Sequence, residues 1–197
     1  MDPADYIISV LGAPASGKGT LCKRLVQDPR FHGCVHHVSV GDLLRGMSSG
    51  PDINGHIAAG TVLPGNELVP ILKSHLDSLP RGSSGKKVVL LDGFPRSLEQ
   101  EAAARNAMAS SGSEEFPDLV IYFACPKEVL RERFIERKRG TDDGSLFEKR
   151  YGQHENEFPG VIEKYKSKGI SVEIDSSGSI DDSFEAFVGV LGSVLAA

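Results

Sequence analysis

The sequence predicts an α/β fold, a parallel sheet of five strands with helices on both faces. Three observations carry this. Apolar, strand-like runs alternate with stretches of helical spacing along the whole chain. Two of the runs, 87–91 after its leading Lys87 and 119–124, are continuously apolar rather than at every second residue, as strands covered on both faces are. The first run, Tyr6 to Leu11, passes directly into a glycine-rich turn. In such a sheet the ligand crevice lies at the carboxyl ends of the strands.

Taken in order, residues 6–11 form the first strand, and Gly12-Ala13-Pro14-Ala15-Ser16-Gly17-Lys18-Gly19-Thr20 turns it into a helix beginning near Lys18 and running through Leu21 to Val26. Glycines let backbone N–H groups approach polyphosphate oxygens, the helix N-terminus adds a partial positive charge, and Lys18 adds a full one. The spacing Gly12-x4-Gly17-Lys18 is the P-loop pattern, with Gly19 where a Ser or Thr for Mg²⁺ usually stands and Thr20 one place later. A second strand is expected from Val35 to Val40, then a helical insertion over 42–77 whose last part, Leu68 to Leu76, has helical spacing. Strand 87–91, helix Leu98 to Met108, strand 119–124 and helix 127–138 follow. A polar gap from Arg139 to Gly144 leads to helix Leu146 to Lys166, strand Ile170 to Ile174 and helix Phe184 to Leu195. The loops 82–85 and 111–113 carry no expected catalytic work. The insertion 42–77 and a short segment 138–145 are placed to act as mobile covers on one P-loop domain spanning 1–197, a three-layer α/β/α fold.

Composition narrows the functional classes. At 197 residues and 40% hydrophobic content the chain suits one globular domain. A net charge of −5 argues against nucleic acid as the main partner, and no apolar run approaches the roughly 20 residues of a membrane span. The acidic start Met1-Asp2-Pro3-Ala4-Asp5 lacks a charged-then-apolar signal region. Cys22, Cys34 and Cys125 are widely spaced and read as reduced thiols of a cytoplasmic protein. His36-His37 beside Cys34 reads as a strand edge rather than a metal site.

Charged residues gather in four places. Arg45 follows Ser39-Val40-Gly41-Asp42-Leu43-Leu44, where Gly41 and Asp42 suggest a turn and helix start that puts Arg45 on the first helical turn; alone it reads as a surface arginine. Leu90-Leu91-Asp92-Gly93-Phe94-Pro95-Arg96 is sharper. An acid closing a buried strand sits where P-loop enzymes hold a Mg²⁺ acid, and Gly93 and Pro95 turn the chain so that Arg96 points over the sheet. Arg133 and Arg137 share a helix face, with Glu128, Glu132 and Glu136 as alternative partners, while Leu130 and Phe134 mark the apolar face. Arg139 and Arg150 flank Asp142 and Asp143; the two arginines either close over a nucleotide or pair with those aspartates.

Together these motifs, from residue 6 to about 190, resemble the nucleoside monophosphate kinases, with adenylate kinases and uridylate–cytidylate kinases the nearest groups. Gly-Thr after the lysine is normal there. The resemblance implies that Gly12 through Thr20, with Lys18, Arg133, Arg137 and Gly178, bind the donor ATP. It implies that Val40, Arg45, Leu63, Gly93, Arg96, Gln100, Arg139 and Arg150 serve the acceptor. It implies that Lys18, Arg96, Arg133, Arg137, Arg139 and Arg150 act on the transferring group, and that Asp92 orients Mg²⁺ through water. Gly178-Ser179-Ile180 would lie by the ATP adenine, and Asp142-Asp143 would close the lid by pairing with its arginines. A monomer is implied.

The residue types suit that chemistry. The donor brings about four negative charges and the acceptor nearly two, so many cations serve better than one base. The acceptor phosphate, with a second pKa of about 6, is already ionised and needs no general base. Gln100, whose amide both donates and accepts, points to AMP as acceptor, with UMP or CMP the alternative. Val40, where adenylate kinases usually carry threonine, and an insertion several residues short lean the other way. Ala15 replaces a common loop glycine, which costs little if its φ is negative.

Overall fold

A computed structural model describes residues 5–31, 33, 35–47, 55–56, 62–81, 87–108, 115–137 and 143–196. Cys34, Arg139, Asp142, most of the segment 138–145 and residues 48–54 and 57–61 of the insertion lie outside the described residues. The strands are β1 (Asp5–Gly12), β2 (Val35–Ser39), β3 (Lys87–Asp92), β4 (Leu119–Ala124) and β5 (Ser171–Asp175). The helices are α1 (Lys18–Gln27), α2 (Val40–Gly46), α3 (Gly65–Ser78), α4 (Leu98–Met108), α5 (Lys127–Glu136), α6 (Gly144–Ser167) and α7 (Ile180–Ala196).

All five strands pair in parallel in the order β2-β3-β1-β4-β5. The strand that runs into the glycine loop is therefore central, and alternate residues feed opposite layers. Ile8 and Val10 pack with Leu21, Cys22 and Leu25 of α1 and Phe184, Phe187 and Leu191 of α7. Ile7 packs with Leu68, Leu72 and Leu76 of α3 and Ala104 and Met108 of α4, while Leu11 meets Phe158, Val161 and Tyr165 of α6. Fully buried leucines such as Leu72 and Leu76 contribute about 1.5–3 kcal/mol each. The buried sides of β1 are thus committed to two helical layers, which fixes its register against any one-residue slip.

β3 is buried throughout, as its apolar run predicts. β4 is not: Val120, Ile121 and Phe123 are buried, while Leu119, Tyr122 and Ala124 are half-buried. Parallel register sets Val10 opposite Asp92 and Gly12 opposite Phe123, bringing the ends of β1, β3 and β4 to one side. The Gly93 amide donates to the Val10 carbonyl at 3.0 Å, so the turn after β3 starts against the glycine loop. Among the described residues no helix is long and apolar enough to cross a membrane.

Two helices differ from their expected bounds for local reasons. α2 starts at Val40 because Ser39 caps it, its Oγ accepting from the Asp42 amide at 3.3 Å. Arg45 consequently falls on the last turn of α2, not the first. α3 starts at Gly65, whose amide donates to both carboxylate oxygens of Glu99 at 3.0 and 2.9 Å. A Cβ at Gly65 would come within 2.8 Å of the Ala103 Cβ, so only glycine lets α3 and α4 meet this closely. Glu101, fully buried on α4, pairs with Lys164 of α6 and Arg105, tying the helix that carries Gln100 to the helix beyond the polar gap.

Candidate active site

One cleft of about 520 Å³ opens at the strand ends, bordered by the glycine loop, Asp92, Arg96, Gln100, the arginines of α5 and α6, and Gly178. The glycine loop is shaped by two positions where a side chain is excluded. A Cβ on Gly12 would approach Ser16 Oγ to 2.7 Å and the Phe123 carbonyl to 2.8 Å. Gly17 has φ +86° and caps α1 without any side-chain bond; the Thr20 and Leu21 amides donate to its carbonyl, which leaves those of Lys18 and Gly19 to meet a ligand. Ala15 has φ +67°, against the negative φ under which its replacement of glycine costs little. An L-residue held there carries roughly 1 kcal/mol of strain.

Lys18 folds back over this loop and donates to the Ala13 carbonyl at 3.1 Å. The surrounding protein pushes its pKa below the usual lysine range, Arg96 and Arg137 push the same way, and Asp92 opposes them. A cation so placed gains more from an incoming anion than one in open water would. Asp92 closes β3 with its Oδ2 3.3 Å from His37 Nε2. A Cβ at position 19 would stand 3.1 Å from the same Asp92 oxygen, which gives the absence of a side chain after Lys18 a steric reason. Cys22, buried one turn on, has its thiol pushed well up by burial and by Asp92.

Arg96 leaves a turn with Gly93 at φ +83° and a cis Phe94–Pro95 bond, and its Nε donates to the Gly93 carbonyl at 2.9 Å. The guanidinium is open to the cleft yet closely walled by protein, and that desolvation lowers its pKa, with Arg150 and Arg45 adding repulsion. Gln100 is buried. Its Oε1 accepts from the Arg96 amide at 2.8 Å and its Nε2 donates to the Leu63 carbonyl at 2.7 Å. Both partners are backbone groups of fixed polarity, so the amide has one orientation, with one N–H and one lone pair left. Val40 and Leu63 are buried in the same wall. Arg45 is exposed and paired with Asp42 of its own helix.

The remaining arginines depart from the sequence reading. Arg133 gives its guanidinium to the Ser176, Ser177 and Gly178 carbonyls at 2.6, 3.2 and 2.9 Å, rather than to Glu128, Glu132 or Glu136. Three of its N–H donors hold the β5–α7 loop, so it braces that loop while also lining the cleft. Arg137 and Arg150 lie over the Phe134 ring at 4.0 and 5.8 Å, a shared platform that marking Phe134 as merely apolar does not reveal. The Asp143 carboxylate caps α6, accepting from the Leu146 amide at 2.8 Å, which lowers its pKa; the expected pairing of Asp142-Asp143 with Arg139 lies outside the described residues. Ser179 caps α7 in the same way.

Two residues with no sequence signal join the site. His37 reaches Asp92 only because β2 and β3 pair in register. His154 of α6 lines the cleft within a file of rings, 4.2 Å from Phe158, 6.2 Å from Tyr151 and 6.5 Å from Tyr122. Burial, Lys18 and Arg96 push its pKa down to about 4, so it is neutral near pH 7.

Comparison with known proteins agrees with this geometry. The family model described as adenylate kinase matches residues 10–170. The human UMP-CMP kinase (Homo sapiens) is 30% identical over 192 residues, covering 92% of this chain and 94% of that protein. UMP-CMP kinase 2 of Oryza sativa subsp. japonica is 35% identical over 92% of this chain and 72% of its own length. Probable UMP-CMP kinase 2 of Arabidopsis thaliana is 32% identical over 98% of this chain and 71% of its own length. With a cation-lined phosphate cleft at the ends of a parallel sheet and these likenesses over nearly its full length, the chain belongs to the adenylate kinase family, as a nucleoside monophosphate kinase.

Proposed function

We propose that the chain transfers the terminal phosphoryl group of Mg·ATP reversibly to a pyrimidine nucleoside monophosphate, CMP or UMP. The observation that carries this is the run of relatives named UMP-CMP kinase at 30–35% identity across nearly the whole chain. The apolar Val40 in the acceptor wall supports it, and this reading replaces the AMP preference expected from Gln100. AMP stays as the second reading for one reason. The free donor and acceptor of the Gln100 amide match the amino-and-ring-nitrogen edge of adenine as well as that of cytosine.

In this reading the loop amides of 12–20, the start of α1 and Lys18 hold the donor phosphates. Arg45 and Arg96 hold the acceptor phosphate, and Arg137, Arg150 and Arg139 surround the transferring group. Arg133 holds the donor base end through the 176–178 loop. An oxygen of the acceptor phosphate bonds the terminal phosphorus as the bond to the ADP oxygen breaks. No proton need move, because that oxygen is already ionised near pH 7. Asp92 fits a Mg²⁺ role because it is a single carboxylate at a strand end beside Gly19 and Thr20, and Mg²⁺ takes few protein ligands and keeps phosphates and waters. Bound there, the ion would neutralise charge on the phosphates. The segments 42–77 and 138–145 act as covers that exclude water.

The test is ADP formation from Mg·ATP with CMP, UMP, dCMP, AMP or GMP, each against no acceptor. A rate with CMP or UMP at least tenfold above AMP is expected. AMP as the best acceptor by the same margin would reverse the assignment.

A further inference from the structure

His154 lines the cleft, as the titratable His56 and Glu157 also do, and the proposed phosphoryl transfer gives it no part. It is placed firmly. Phe147, Tyr151, His154 and Phe158 follow one face of α6, and each ring touches the next, at 5.4, 6.2 and 4.2 Å. The file continues to Phe134 of α5 at one end and to Tyr122 of β4 at the other. The imidazole is therefore held by its faces, and its edge carries the chemistry. Neither ring nitrogen makes a hydrogen bond among the described residues, and neither is among the sealed, unpartnered polar atoms. The ring is half-buried and borders the cleft beside Gln153 and Glu157.

The groups acting on it come from three directions. Lys18 of α1 and Arg96 of the turn after β3 supply positive charge. Tyr122 of β4 and Tyr151 of its own helix supply titratable rings in contact. The two cations are the ones read above as holding donor and acceptor phosphates, so His154 looks onto the place where those phosphates meet.

We propose that His154 is a further phosphate-contacting residue of this chain, its ring edge donating a hydrogen bond to a nucleotide phosphate oxygen in the loaded cleft. In the empty cleft the imidazole is neutral because burial and two cations oppose its charge. Nucleotides bring about six negative charges, about four net of Mg²⁺, among the same cations, which offsets the positive field at the ring. The loaded site then takes up a proton on His154, and an imidazolium donates a charge-assisted bond to phosphate. This rests on the kinase reading of the cleft.

The experiment is a pH titration of the imidazole carbon and proton resonances of the full chain, free and saturated with a dinucleoside pentaphosphate joining adenosine to uridine. The His154 signal is assigned by its loss in His154→Phe, which keeps a ring in the stack. The expected midpoint is near 4 in the free protein and at least two pH units higher in the complex. In parallel, the affinity of the wild type for the pentaphosphate, taken relative to His154→Phe, should fall about tenfold or more from pH 5 to pH 7, because proton uptake favours the complex only between the two midpoints. A midpoint unmoved by saturation, with the other resonances shifted, would overturn the role of His154 and leave the kinase reading standing. A pentaphosphate that shifts nothing would remove both.

Discussion

The donor and acceptor halves of the cleft are built on different principles. On the donor side the cations are anchored to backbone: Lys18 on the Ala13 carbonyl, Arg133 on three carbonyls of the 176–178 loop. These carbonyls belong to the ends of strands and loops that the core already fixes. On the acceptor side Arg45 sits exposed on a short helix and is occupied by Asp42 three residues before it. Arg96 stands between the halves, sharing the sheet's rigidity through Gly93 and the acceptor's chemistry through Gln100. In the proposed reading the donor phosphates thus meet a preformed electrostatic site, which needs little reorganisation on binding. In the same reading the acceptor phosphate must draw Arg45 away from its ion pair with Asp42. Exposed pairs contribute only about 0–1 kcal/mol, so this release costs little.

The contrast breaks hardest at its most rigid point. Lys18→Met should lower kcat by three or more orders of magnitude while the far-ultraviolet circular dichroism and Tm stay near wild type, since Met fills similar space. Near-normal turnover would remove Lys18 from the chemistry. Arg96→Ala comes next, with a loss of about 10²–10³ in kcat/KM for the acceptor and donor affinity nearly unchanged. Equal loss of ATP binding, measured by calorimetry, would show that the two halves are not separate.

Arg133→Ala separates bracing from catalysis. If the guanidinium only holds the 176–178 loop, KM for ATP should rise about tenfold, with kcat within a few-fold and acceptor KM unchanged. A fall in kcat of a hundredfold at saturating ATP would instead return Arg133 to the transferring group, where the sequence reading put it.

Arg133 shows what a sequence can and cannot carry. The architecture was legible because hydrophobic runs and the glycine loop are local signals, and β1, β3 and the helix at Lys18 follow them closely. Lys18, Asp92 and Arg96 were legible because each is fixed by a motif next to it. Arg133 and Arg137 share a helix face in sequence, yet one turns to the β5–α7 loop and the other to Phe134, a choice decided by elements more than 40 residues apart for Arg133. His37 and His154 were invisible for the same reason: strand pairing and a ring file bring them to the site. Glu99 as the cap of α3 also depends on a contact across 34 residues.

The cheapness of Arg45's release can be measured directly. Asp42→Asn removes the ion pair but keeps the capped amide at position 42. Acceptor KM should fall by no more than about threefold, matching an exposed pair of a few tenths of a kcal/mol. A fall of tenfold or more would mean that the pair holds Arg45 back strongly, and the acceptor half would then be gated rather than merely unassembled.

The smallest effect probes the donor half's own flaw. Ala15 is held at φ +67°, a conformation that costs an L-residue roughly 1 kcal/mol and glycine almost nothing. Ala15→Gly relieves that strain but adds about 0.4–1 kcal/mol of unfolded-state entropy, so a net gain of about 0.3 kcal/mol is expected. For a chain of this size that is a rise in Tm of about 1 °C. Ala15→Val should move the other way and by more, because a β-branched side chain tolerates positive φ worse than alanine. Opposite signs for the two variants would locate strain in the loop itself; a Tm lowered by both would mean that the methyl group of Ala15, packed beside Ala13 and Phe134, stabilises more than its backbone costs.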